Sequence, residues 1–93
     1  MVRITTRQEG EWQVIGIDGR LAADGVIELE KAVAAARSAV RIDLQALRSA
    51  DGDGLDAIRR LEARGIPLLG VPPYVRLLLE QTTVAALGAD RSR

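Results

Sequence analysis

Three carboxylates stand within six residues at Asp51, Asp53 and Asp56, separated by Gly52 and Gly54 and preceded by Ser49. Like charges this close repel unless something positive offsets them. In a calcium loop, Ser49, Asp51 and Asp53 would be the first, third and fifth ligands and Gly54 the sixth position. The twelfth position then falls on Arg60, where a bidentate glutamate is needed, which disfavours calcium. A dinucleotide fingerprint of Gly52, Gly54 and Ala57 would bring a pyrophosphate against two aspartates, and the charges oppose it. Acid and base catalysis would need a nucleophile, a histidine or a second polar cluster to complete a site. The sequence offers none of these, so no catalytic or metal-binding role is expected.

A helix start accommodates the same residues without a ligand. Its unpaired amides and dipole stabilise acidic groups, by about 0.5–2 kcal/mol for a cap hydrogen bond. Asp53 is placed as the cap residue and Asp56 in the first turn, with Gly52 and Gly54 allowing a sharp entry and Arg59 and Arg60 following on the helix.

The surrounding elements follow from hydrophobic spacing. Val2 to Arg7 alternates and Trp12 to Ile17 is rich in β-branched residues, with Glu9, Gly10 and Glu11 between them as a turn, which predicts a hairpin. The second strand ends at Asp18, Gly19 and Arg20. Asp24 then caps a helix to about Ser38 in which Val26, Leu29, Val33 and Ala36 face inward, while Glu28, Glu30, Lys31 and Arg37 are solvated. Val40, Ile42 and Leu44 form a third strand, and Gln45 to Gly54 is a polar, glycine-rich stretch. Leu55, Ile58 and Leu61 predict a second helix to Arg64, stopped at Gly65. Ile66 to Val71 is a short apolar strand, with Pro67 suited to its start or to a sheet edge. Pro72 and Pro73 open a third helix with Val75, Leu78 and Leu79 inward; Thr82 to Leu87 adds a turn or two, and residues 88–93 are frayed.

The expected fold is therefore α/β: one domain over residues 1–93, with a four-stranded mixed sheet in the order β-β-α-β-α-β-α and helices mainly on one face. Thirteen basic residues cancel thirteen acidic ones, so no net field draws the chain to nucleic acid or to a membrane surface. Histidine and cysteine are both absent. The apolar runs are too short to span a bilayer and the amino terminus lacks a signal-peptide core, so a cytoplasmic location is expected. A homodimer is expected through the open sheet face or through the first strand, read here as a short edge guarded by Arg3 and Arg7.

Four segments in this order resemble the STAS domain of bacterial anti-sigma factor antagonists: Ile15 to Leu21 with its Asp18, Gly19, Arg20, Leu21 turn, "VRIDL" at Val40 to Leu44, "DGDGL" at Asp51 to Leu55, and "GVPPYVRLLL" at Gly70 to Leu79. The likeness runs from about Val2 to Gln81. In that family the loop after the third strand carries aspartate, serine, then serine or threonine, then glycine, and the second hydroxyl is phosphorylated by a serine kinase that is also an anti-sigma factor. Laid on this chain, the resemblance puts Asp51 at the family aspartate, Gly52 at the first hydroxyl, Asp53 at the phosphoacceptor and Gly54 at the glycine. Asp53 offers no hydroxyl, and Ser49 sits where the family usually has an apolar residue. The resemblance implies a non-enzymatic binding module without cofactor. Its partner would be an anti-sigma factor, a kinase-like protein or another signalling protein, engaged through Ser49, Asp51, Gly52, Asp53, Gly54, Asp56, Arg59 and Arg60. Related modules also serve membrane transport systems, so the alternative is an accessory subunit of a transporter, reached through a protein and not by direct membrane binding.

Overall fold

A computed structural model of the chain describes residues 2–80. The elements run β1 (Val2–Glu9), β2 (Trp12–Leu21), α1 (Ala23–Ala35), β3 (Ala39–Asp43), β4 (Leu47–Ala50), α2 (Gly52–Ala63) and β5 (Leu68–Leu69), and a third helix, α3, covers described residues 73–80. The expected readings at Thr82 to Leu87 and at 88–93 lie outside the described residues.

The sheet is mixed, in the order β1-β2-β3-β5, with β4 also paired to β2. β1 pairs antiparallel along the length of β2, from Val2 opposite Gly19 to Glu9 opposite Trp12. The other edge of β2 is shared by two parallel partners: β3 against Trp12 to Gly16, and β4 against Gly19 to Leu21. The α/β class and single mixed sheet are as expected, with β4 as a fifth strand inside the stretch read as polar loop. Leu47 explains it: the side chain is buried in the core and ties the segment down beside β2.

Side chains alternate across β2. Ile15, Ile17 and Leu21 join Ile42, Leu44 and Leu47 in one cluster with Val26 and Leu29 of α1, Leu55, Ile58 and Leu61 of α2, and Val75 and Leu79 of α3. All three helices therefore cover the same face. Among the described residues the opposite face has no helix, yet Val14 on it is fully buried. Its register partners are Arg7 on β1 and Arg41 on β3, and the Arg41 guanidinium stacks 3.8 Å from the centre of the Trp12 ring. Arginine stems and the indole thus shield this part of the bare face, as long amphipathic side chains can. Trp12 belongs to this bare side.

Several boundaries differ from the sequence reading. β2 continues through Asp18, Gly19 and Arg20 to Leu21, and the irregularity there is a register shift against β4, with Gly19 at φ +97°. α1 stops at Ala35, and its N-cap position is Ala22, which makes no side-chain cap bond; Asp24 lies in the first turn, where Oδ1 accepts from the Gly25 amide at 3.0 Å. β5 is only Leu68–Leu69, because Pro67 brings no N–H to the ladder, although its carbonyl accepts from the Ile42 amide at 3.0 Å. Gly65 follows α2 at φ +87°, as its left-handed cap role predicts.

Candidate functional site

The start of α2 is fixed from below by β2. The Asp51 amide donates to the Leu21 carbonyl at 3.1 Å, and Gly54 packs so closely on Leu21 that a Cβ at Gly54 would stand 2.3 Å from that same oxygen. No side chain fits there. Glycine is required at position 54 by contact, whereas Gly52 faces open space.

Asp51, not Asp53, is the cap. Its backbone is extended, with φ −82° and ψ −174°, and Oδ1 accepts from the Gly54 amide at 2.8 Å. Asp53 lies one position inside the helix start, in the first turn, and is exposed. Its carboxylate faces solvent beside the amino-terminal amides, where the dipole favours negative charge. Asp56, also exposed, falls one turn further along and accepts from Arg59 instead of serving the helix start. Both expected placements are corrected: the cap is Asp51 and not Asp53, because the extended backbone that a cap needs occurs there, and Asp56 lies beyond the first turn in which it was expected.

The remaining candidates separate by exposure. Gly52 is exposed at the first helical position. Ser49 lies on β4 and is half-buried, which leaves its hydroxyl less accessible than a residue at the helix start. Arg59 is half-buried, and its Nε is shielded with no hydrogen-bond partner among the described residues. Arg60 is exposed and reaches Glu30 of α1 at 3.4 Å. The site thus presents Gly52, Asp53, Asp56 and Arg60 outward, while Asp51 and Gly54 hold the geometry.

Two features had weaker signals in sequence. Tyr74 and Leu77, three residues apart on α3, are 56% and 58% exposed, and an aromatic and a leucine on one outer helix face suit protein contact. Leu77 was hidden in an apolar run from which Leu78 and Leu79 were read as inward. A hollow of about 500 Å³ also opens on the face opposite the described helices, between Arg3, Thr5 and Arg7 on one side and Asp18, Asp43 and Gln45 on the other. There Arg7 donates to Glu9 and, at 3.1 Å, to Asp43, and these bonds raise its pKa above the ordinary arginine value. This hollow is distinct from the α2 start. Among the described residues, no group of three or more acidic side chains is placed to hold a metal ion, and no helix is long and apolar enough to cross a membrane.

No protein-family model matches the chain, and no curated protein matches it. Solved structures do. The anti-sigma factor antagonist SpoIIAA, in its unphosphorylated form, aligns with a TM-score of 0.59 at 20% identity, covering 84% of this chain and 82% of that one. Two structures of Mglu align with TM-scores of 0.56 and 0.54 at 22% and 18% identity, covering 70% and 73% of this chain. The chain spans only 18% and 22% of those Mglu chains. At such identities the likeness establishes the fold: a single α/β domain of the kind found in an anti-sigma factor antagonist.

Proposed function

We propose that this chain is a non-enzymatic binding module of the partner-switching kind, whose switch position is occupied for good by a carboxylate. The observation that carries the reading is the exposed Asp53 in the first turn of α2, at the position where the resemblance puts a phosphorylated hydroxyl. Phosphorylation there would add about 1.5–2 negative charges beside the helix amides. Aspartate supplies one, permanently, so the surface resembles the modified state weakly at all times. The contact surface consists of Gly52, Asp53, Asp56 and Arg60, held by Asp51 and Gly54, and the partner is an anti-sigma factor, a serine-kinase-like protein or a related signalling protein.

Incubation with a cognate serine kinase and ATP, read by intact mass and peptide mapping, tests this. The wild type should gain no phosphate between residues 47 and 56, and Asp53→Ser should gain one on the new hydroxyl. A phosphate on Ser49 of the wild type would overturn the fixed-switch reading.

A further inference from the structure

We infer that β1 is the contact strand of a homodimer in which two copies join their sheets edge to edge, antiparallel, with Thr6 of one copy opposite Thr6 of the other. β1 is the outer strand of the sheet, and its eight residues pair with β2 in unbroken register. The sequence reading took this edge as short. The strand instead runs to Glu9, contains no proline and has no bulge, so it lacks the usual devices that blunt an edge apart from its charges.

The hairpin turn decides which groups are available. Glu9 and Trp12 flank a two-residue turn of Gly10 and Glu11, with Gly10 at φ +61°, which makes them a hydrogen-bonded pair. Antiparallel pairs alternate, so the odd-numbered residues of β1 bond to β2 and the even-numbered ones point their amides and carbonyls outward. Val2, Ile4, Thr6 and Gln8 therefore present an open ladder.

Charge selects the register. With a two-fold axis perpendicular to the sheet, residues directly opposite share a face, and the axis passes beside one residue of β1. An axis at Thr5 sets Arg3 against Arg7 twice, and an axis at Arg7 sets that residue against itself; like charges directly opposite are destabilising. An axis at Ile4 avoids this but overlaps only residues 2–6. An axis at Thr6 overlaps residues 3–9 and sets Arg3 against Glu9 twice, both of them exposed in the single copy, where Glu9 already accepts from Arg7 and has a second carboxylate oxygen to offer Arg3. It also puts Thr5 opposite Arg7 and Ile4 opposite Gln8. The helices of both copies then lie on one side of a continuous sheet, and zero net charge leaves no long-range repulsion between copies.

The test uses the full chain in a concentration series by sedimentation and light scattering, with circular dichroism and melting as fold controls. The wild type should dimerise. Thr6→Pro, which removes an outward N–H, should be monomeric with an unchanged fold, since proline is tolerated on a free edge. The chain has no cysteine, so Thr6→Cys carries a lone thiol and should oxidise to a covalent dimer much faster than Thr5→Cys. Arg3→Glu and Glu9→Arg should each weaken dimerisation roughly tenfold, and the double swap should restore it. A monomer at every concentration overturns the inference. So does a dimer that survives Thr6→Pro, a Thr6→Cys variant that links no faster than Thr5→Cys, or a double swap no better than either single change.

Discussion

At the scale of single residues, Asp51 and Asp53 have the same side chain two positions apart and opposite jobs. Asp51 satisfies a helix amide, and Asp53 leaves its carboxylate for solvent or a partner. Asp51→Ala should cost about 1 kcal/mol in urea unfolding, the usual loss for a cap. Asp53→Ala removes only a favourable dipole interaction at an exposed site and should cost less, about 0.3 kcal/mol, and less still as salt is raised. Equal losses would show that the two roles are misassigned. Gly54→Ala is the harsher change, because its Cβ would meet a strand carbonyl at 2.3 Å. It should destabilise by about 3 kcal/mol or more, while Gly52→Ala, facing open space, should be tolerated. The acidic helix start was legible from residue types alone. Which aspartate caps it was not, because aspartates at both positions meet the compositional preference and only backbone angle distinguishes them.

At the scale of elements, the amphipathic helices were readable because Leu29, Ile58 and Leu61 recur at helical spacing and all are buried. β4 escaped notice for a physical reason: in four residues only Leu47 is fully buried, and the neighbouring Arg48 and Ser49 read as loop. The entry to α1 was misread because Asp24 is a favourable cap type, but the chain turns into the helix at Ala22. Leu47→Ala should therefore cost about 2–5 kcal/mol as a buried truncation. Arg48→Ala, exposed on the same strand, should stay within about 0.5 kcal/mol. Matched thermal melts of the two variants check whether β4 is anchored as described. A Leu47→Ala melt indistinguishable from the wild type would contradict it.

At the scale of the whole molecule, the three described helices lie on one face and leave a sheet whose other side is shielded around Val14 by its own arginines and Trp12, with β1 as the outer strand at one margin. The one-sided layering was legible from the alternation of strands and helices. The shielding of Val14 was not, since it depends on Arg7 and Arg41 lying beside it across two strands. The α2 start and the β1 edge belong to separate surfaces, so the proposed dimerisation through β1 and the proposed partner binding at Asp53 should be independent. Thr6→Pro should leave partner capture by the α2 surface unchanged. Quantitative capture from the native cell, with the wild type, Asp53→Ser and the remote surface change Asp18→Ala as parallel baits, tests the central claim most directly. At least one protein should change several-fold in recovery between the wild type and Asp53→Ser while Asp18→Ala matches the wild type. Recovery of the same proteins in equal amounts by all three baits would contradict a signalling role for the Asp53 carboxylate.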